Sequence, residues 1–231
     1  MNNRPVTALK DDPFVLDQYR NIATKFLLTC DSPGRNCLLV TSSVLEEGKS
    51  LNALNLATAL AQGMHKDVVL VVGDLHRPAL HSLMGIKANH GLVNYFWDNV
   101  DFFNNGDMLL EEIIQPSGIE HLSIIPAGKP HPNPPEILNS KKMQALMAKL
   151  KERQKDGYLI IDSPPIIPTL DPIILSRYAD GIILIINAGK TPRGIIRKAV
   201  DMLEKEKILG VLLNNLGVIP YEHSYTYGKY Y

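Results

Sequence analysis

Residues 40–60 read VTSSVLEEGKSLNALNLATAL. The stretch passes from an apolar run through a polar turn into a patterned helix, with Gly48, Lys49 and Ser50 at the join. A phosphate-binding turn of the eight-residue form asks for Gly, four free positions, then Gly, Lys and Ser or Thr. Here Ser43 takes the first position and Glu46 and Glu47 fill the turn, so the second half alone matches. That half has a physical purpose. Gly48 lets backbone N–H groups approach phosphate oxygens, and a helix starting near Lys49 favours an anion at its N-terminus. Lys49 reaches the terminal phosphates and Ser50 holds Mg²⁺.

Working outward, Asn36 to Ser43 (NCLLVTSS) reads as a buried strand, and Leu51, Leu54, Leu56, Ala57 and Leu60 give the following helix an apolar face. Further strand-like runs recur at 37–40, 68–72, 121–126, 158–162, 181–187 and 208–214. Their near-continuous Val, Ile and Leu content implies that both faces are covered. Helical patterns lie between them near 50–63, 107–115, 140–155, 171–178 and 192–206. The fold class expected is α/β, a doubly wound and mainly parallel sheet flanked by helices, with its ligand at the carboxyl ends of the strands.

The chain has 231 residues, 45% hydrophobic and 21% charged, enough for one large domain. Its 24 basic and 24 acidic residues cancel, so no global field draws it to nucleic acid. The start MNNRPVTALKDDPF lacks an apolar signal core, and no run approaches a membrane span, so a cytoplasmic location is expected. Cys30 and Cys37 have no metal-ligand spacing and read as reduced thiols. The expected organisation is a helical approach segment at 1–30, a nucleotide-binding domain at 31–217, and a tyrosine-rich tail at 218–231.

Two strand-end acids extend the site. Asp162 closes YLIID before two prolines, where a carboxylate touches Mg²⁺ directly or through water. Asp74 leaves the run VVLVV; it either faces the phosphates, as metal ligand or proton acceptor, or caps the helix after Pro78. Asn214 offers a donor and an acceptor to an adenine edge, or sits in an ordinary turn. Lys190 follows another strand end and either neutralises phosphate or is a surface lysine. Five of the nine tyrosines, Tyr221, Tyr225, Tyr227, Tyr230 and Tyr231, lie in the last eleven residues, as partner-stacking rings or as phosphate acceptors.

Together these parts resemble a bacterial tyrosine kinase of the capsule and exopolysaccharide type, a P-loop family related to partition ATPases. The stretch LIIDSPPIIPTLDPIILSRYADGIILIINAGKTPRG is the most specific, joined by EGKSLNALNLA, GDLHRPALHSLMG, GLVNYF and IIPAGKPHPNPPEIL in order. The resemblance implies ATP and Mg²⁺, with Lys49, Asp74 and Asp162 catalytic and Ser50, Asp74 and Asp162 at the metal. It implies nucleotide contacts at Glu47, Gly48, Lys49, Ser50, Leu51, Lys190 and Asn214, and phosphoacceptors in the tyrosine tail. It also implies a homo-oligomer, a cognate tyrosine phosphatase, and a membrane-embedded polysaccharide chain-length regulator that holds the chain at the inner face of the membrane.

The chain differs from the family pattern at Leu45 and Glu46, at Val72 where an acid is usual, and at His76 where Arg is usual. In the helical block Asp17 to Ala23, Arg20 is kept while Asp17 and Ala23 replace Glu and Arg of an oligomerisation motif. The function expected is an ATP-dependent tyrosine autokinase regulating polysaccharide polymerisation and export. A non-catalytic nucleotide-binding scaffold of the export machinery and a partition-type ATPase are the alternatives.

Overall fold

The computed structural model describes residues 13–29, 35–86, 90–97, 106–129 and 131–215. The expected tyrosine tail and Cys30 lie outside these residues.

Seven strands form one sheet in the order β3-β4-β2-β5-β1-β6-β7. They are β1 (Cys37–Ser42), β2 (Val68–Val72), β3 (Gln115–Ile119), β4 (Leu122–Ile125), β5 (Tyr158–Asp162), β6 (Gly181–Asn187) and β7 (Ile208–Asn214). All neighbours pair in parallel except β3 with β4. Every residue of β1, β2 and β6 is buried, as strands with mostly apolar sequences require when covered on both faces; the polar ends Thr41, Ser42 and Asn187 are buried too. β7 closes one edge and leaves Val211 and Leu213 half exposed.

The helices are α1 (Pro13–Thr29), α2 (Lys49–Met64), α3 (Leu80–Met84), α4 (Leu92–Trp97), α5 (Gly106–Ile113), α6 (Pro134–Leu138), α7 (Lys141–Arg153), α8 (Asp171–Ser176) and α9 (Arg193–Asp201). Residues Asn52 to Ala61 of α2 are all buried, because the helix is covered by the sheet on one side and by α1 on the other. α1 contributes Tyr19, Ala23 and Phe26 to the core, at the four- and three-residue spacing of one helical face. α7 begins at Ser140, whose hydroxyl accepts the Met143 N–H at 3.0 Å.

Three differences from the sequence expectation stand out. β3 is a strand the apolar pattern does not show, because QPSGI carries Pro and Gly; an edge strand tolerates both, and here the register shifts between Pro116 and Ile119. α9 stops at Asp201, since Leu203 turns into the core and a 3₁₀ turn at Lys205–Lys207 leads into β7. The short helices α3, α4 and α6 carry too few residues for a readable period.

Strand order places the site. β5 lies between β1 and β2, with Asp162 in register with both Val40 and Val72. The chain ends of β1, β5 and β2 therefore leave the sheet side by side.

Candidate active site

The turn after β1 is held by its own carboxylate. Glu47 is buried, and its side chain accepts hydrogen bonds from the main-chain N–H of Val44 at 2.8 Å, the N–H of Asn187 at 3.2 Å, and the Thr191 hydroxyl. The acid thus ties the turn to the end of β6 and leaves only its backbone to face a ligand. Glu46, beside it, adopts φ 62°, a left-handed conformation that a non-glycine residue takes at some cost.

Gly48 sits at φ 86° and precedes the first residue of α2. No side chain caps that helix, so the N–H groups of its first turn stay open to an anion. A Cβ at Gly48 would lie 2.2 Å from the Asn214 amide nitrogen, so glycine is required for space as well as for conformation. Asn214 donates that same amide to the Glu47 carbonyl at 2.9 Å and thereby buttresses the turn from β7. Leu51 is half-buried in the first turn of α2. Lys190 is exposed in the turn after β6 and reaches no polar partner among the described residues.

The charged centre follows from the strand order. Lys49 Nζ lies 3.0 Å from Asp74 Oδ2 and 3.5 Å from Ser50 Oγ. The Asp162 carbonyl accepts the N–H groups of Gly73 at 2.7 Å and Asp74 at 3.1 Å, locking the exit of β2 against the end of β5. The Asp74 Oδ1 atom accepts the Arg77 N–H at 2.9 Å, so this acid both closes its turn and pairs with Lys49. The helix after Pro78 is not capped by this acid: its N-cap is Ala79, with no side-chain cap, so Asp74 closes only the turn before it.

Asp162 is wholly buried; among the described residues neither carboxylate oxygen meets full hydrogen-bond geometry, and the Ser50 hydroxyl close by favours its charged form. Burial pushes its carboxyl up to about 7, against the pull of the Lys49 charge. A buried carboxylate beside a buried Ser50 hydroxyl is a donor set of hard oxygens, which fits Mg²⁺. Among the described residues no group of three His, Cys, Asp or Glu side chains could hold a metal alone. A Mg²⁺ here would draw its remaining ligands from water and phosphate.

A second pair of ionisable side chains starts two positions after Asp74. His76 Nε2 lies 2.9 Å from Oδ2 of Asp171, a wholly buried acid at the start of α8. An acid opening a helix soon after a double proline was the available signal for Asp171. Val72 is a buried valine at the end of β2, where the family pattern usually has an acid. A separate cleft of about 560 Å³, lined by Asp67, His121 and Arg153, lies at the amino ends of β2 and β4, away from these groups.

Comparison with known proteins agrees with this geometry. No family model matches the chain. It is 32% identical over 200 residues to tyrosine-protein kinase YwqD of Bacillus subtilis (strain 168), covering 86% of this chain and 80% of that one. The solved VpsO (VC0937) kinase domain is 31% identical with a TM-score of 0.74, over 91% of this chain and 100% of that one. The kinase domain of Escherichia coli tyrosine kinase ETK shares the fold at a TM-score of 0.82 and 22% identity, over 97% of this chain and 87% of that one. With Lys49, Ser50, Asp74 and Asp162 gathered at the carboxyl ends of three adjacent strands, the chain belongs to the bacterial tyrosine-protein kinases.

Proposed function

We propose that the chain is an ATP-dependent tyrosine autokinase that phosphorylates Tyr221, Tyr225, Tyr227, Tyr230 and Tyr231 of its own tail. The observation that carries this reading is the convergence of Lys49, Ser50, Asp74 and the buried Asp162 on one open helix N-terminus.

Phosphoryl transfer needs mainly positioning and neutralised charge. The N–H groups of Gly48 and Lys49 would receive the phosphates, and Lys49 would shift from Asp74 toward the transferred group. Ser50 and Asp162 would hold Mg²⁺, which draws charge from the phosphate oxygens. A tyrosine oxygen would bond to the terminal phosphorus as the bridge to ADP breaks, and Asp74, freed as Lys49 moves off it, would take the hydroxyl proton. Position 72 carries valine and offers no carboxylate for that step. Asn214 gives its amide nitrogen to the turn, and its amide oxygen would face the adenine.

Each phosphate adds about −1.5 to −2 charge units to the tail, so modification would drive neighbouring tails apart. We read this as the switch by which a homo-oligomer responds to a membrane-embedded chain-length regulator and a phosphatase during polysaccharide export. Among the described residues no helix is long and apolar enough to cross a membrane, and attachment through a partner is compatible with that.

The test is intact-mass spectrometry of the chain before and after phosphatase, then after Mg²⁺-ATP, with Lys49→Ala in parallel. Single-phosphate steps that map to 221–231 and vanish in the variant support the proposal. Absence of steps in the parent, with a membrane partner supplied, overturns it and favours the scaffold reading.

A further inference from the structure

We infer that Tyr19, on α1, is a positioning residue for the phosphate turn and acts through Asn52. The inference rests on the nucleotide reading of that turn. The Tyr19 ring is buried between α1 and α2, and its hydroxyl donates to Asn52 Oδ1 at 2.6 Å. At the other end of the same amide, Asn52 Nδ2 donates to the Gly48 carbonyl at 2.8 Å, beside the Asn52 main-chain N–H at 3.0 Å. An amide has one donating end and one accepting end, so a hydroxyl donor at the oxygen fixes which end meets Gly48.

The consequence runs through peptide geometry. In a trans peptide the C=O and the following N–H point to opposite sides. Holding the Glu47 carbonyl with Asn214 aims the Gly48 N–H, and holding the Gly48 carbonyl with Asn52 aims the Lys49 N–H. Those two N–H groups open the uncapped helix toward the anion site. The two asparagine amides flank Gly48 closely: a Cβ there would lie 2.2 Å from Asn214 Nδ2 and 3.4 Å from Asn52 Nδ2. One of the two clamps is steered from β7 and the other from α1. Whatever seats α1 on α2 thereby sets the aim of the cradle.

Tyr19→Phe removes the steering hydroxyl and keeps the ring in the core. The test compares the full chain with Tyr19→Phe, Asn52→Leu and the double variant. It reads amide hydrogen exchange across residues 44–52 without nucleotide, and Mg-ADP binding by titration calorimetry. Tyr19→Phe is expected to speed exchange at Gly48 and Lys49 and to weaken ADP about three- to ten-fold, in line with loss of one oriented hydrogen bond. In the Asn52→Leu background it is expected to change neither. Unchanged exchange in Tyr19→Phe overturns the inference whatever ADP does. Equal losses in both backgrounds also overturn it, since they mark Tyr19 as packing alone. A parent chain that binds no ADP sinks the nucleotide reading, and the exchange comparison then decides the relay by itself.

Discussion

Glu47 and Asn187 stand 140 positions apart in the chain, yet the Glu47 carboxylate accepts the Asn187 main-chain N–H at 3.2 Å. The same carboxylate holds Val44 N–H and the Thr191 hydroxyl, so Glu47→Ala leaves three donors without their acceptor. Loss of one partner from a buried hydrogen bond costs about 1–3 kcal/mol. Urea unfolding of Glu47→Ala is expected to show an unfolding free energy lower by at least an amount in that range, read as a lower midpoint at an unchanged slope. Glu47→Gln, which keeps one acceptor, falls between the two.

Asp162 carries a carboxyl that burial disfavours in its charged form. Burial pushes this carboxyl up to about 7 in the fold, from an ordinary value of 3.8. The folded chain therefore binds more protons than the unfolded chain between those values, and stability falls as pH rises through that window. Asp162→Asn is expected to raise the melting temperature of the nucleotide-free chain at pH 7.5 by a few degrees while abolishing tail phosphorylation. The variant is also expected to lose the decline in melting temperature that the parent shows between about pH 4 and 7.

His76 stands beside a buried acid. His76→Ala takes away the ring nitrogen 2.9 Å from Asp171 Oδ2 and leaves a wholly buried carboxylate short of its neighbour. The expected loss is about 1–3 kcal/mol. Adding Asp171→Asn should restore part of it, because an amide carries no charge to desolvate. A thermal-denaturation cycle over the four chains measures the coupling.

Gly48→Ala places a methyl 2.2 Å from Asn214 Nδ2 at a backbone φ of 86°. The left-handed conformation alone costs about 1 kcal/mol for an L side chain, and the displaced Asn214 adds to it. Mg-ADP binding is expected to fall below detection in calorimetry, with the helical signal in circular dichroism retained. Adding Asn214→Ala relieves the contact but not the conformation, so it recovers stability in part and binding hardly at all.

Much of this was readable before any coordinates. β2, β5, β6 and β7 carry the boundaries their apolar runs dictate, each run ending at a polar residue or a turn, although β7 lies at the sheet edge and is not covered on both faces as its sequence suggests. Lys49, Ser50, Asp74 and Asp162 were legible too, since each sits where a strand or helix changes direction. Glu47 looked like a charge beside phosphate, but its inward turn depends on donors from the loop after β6 that no local pattern announces. Tyr19 and Asn52 were hidden for a related reason. One looked like an ordinary face residue of a helix and the other like a polar interruption of an apolar one. Their pairing is set by how α1 crosses α2.

The bond between Asn214 and the Glu47 carbonyl joins residues 167 positions apart, from the last strand to the first turn. Synthesis runs from the amino end, so a growing chain carries the phosphate turn long before it carries the strand that buttresses it. The cradle acquires its second clamp only once β7 has left the ribosome.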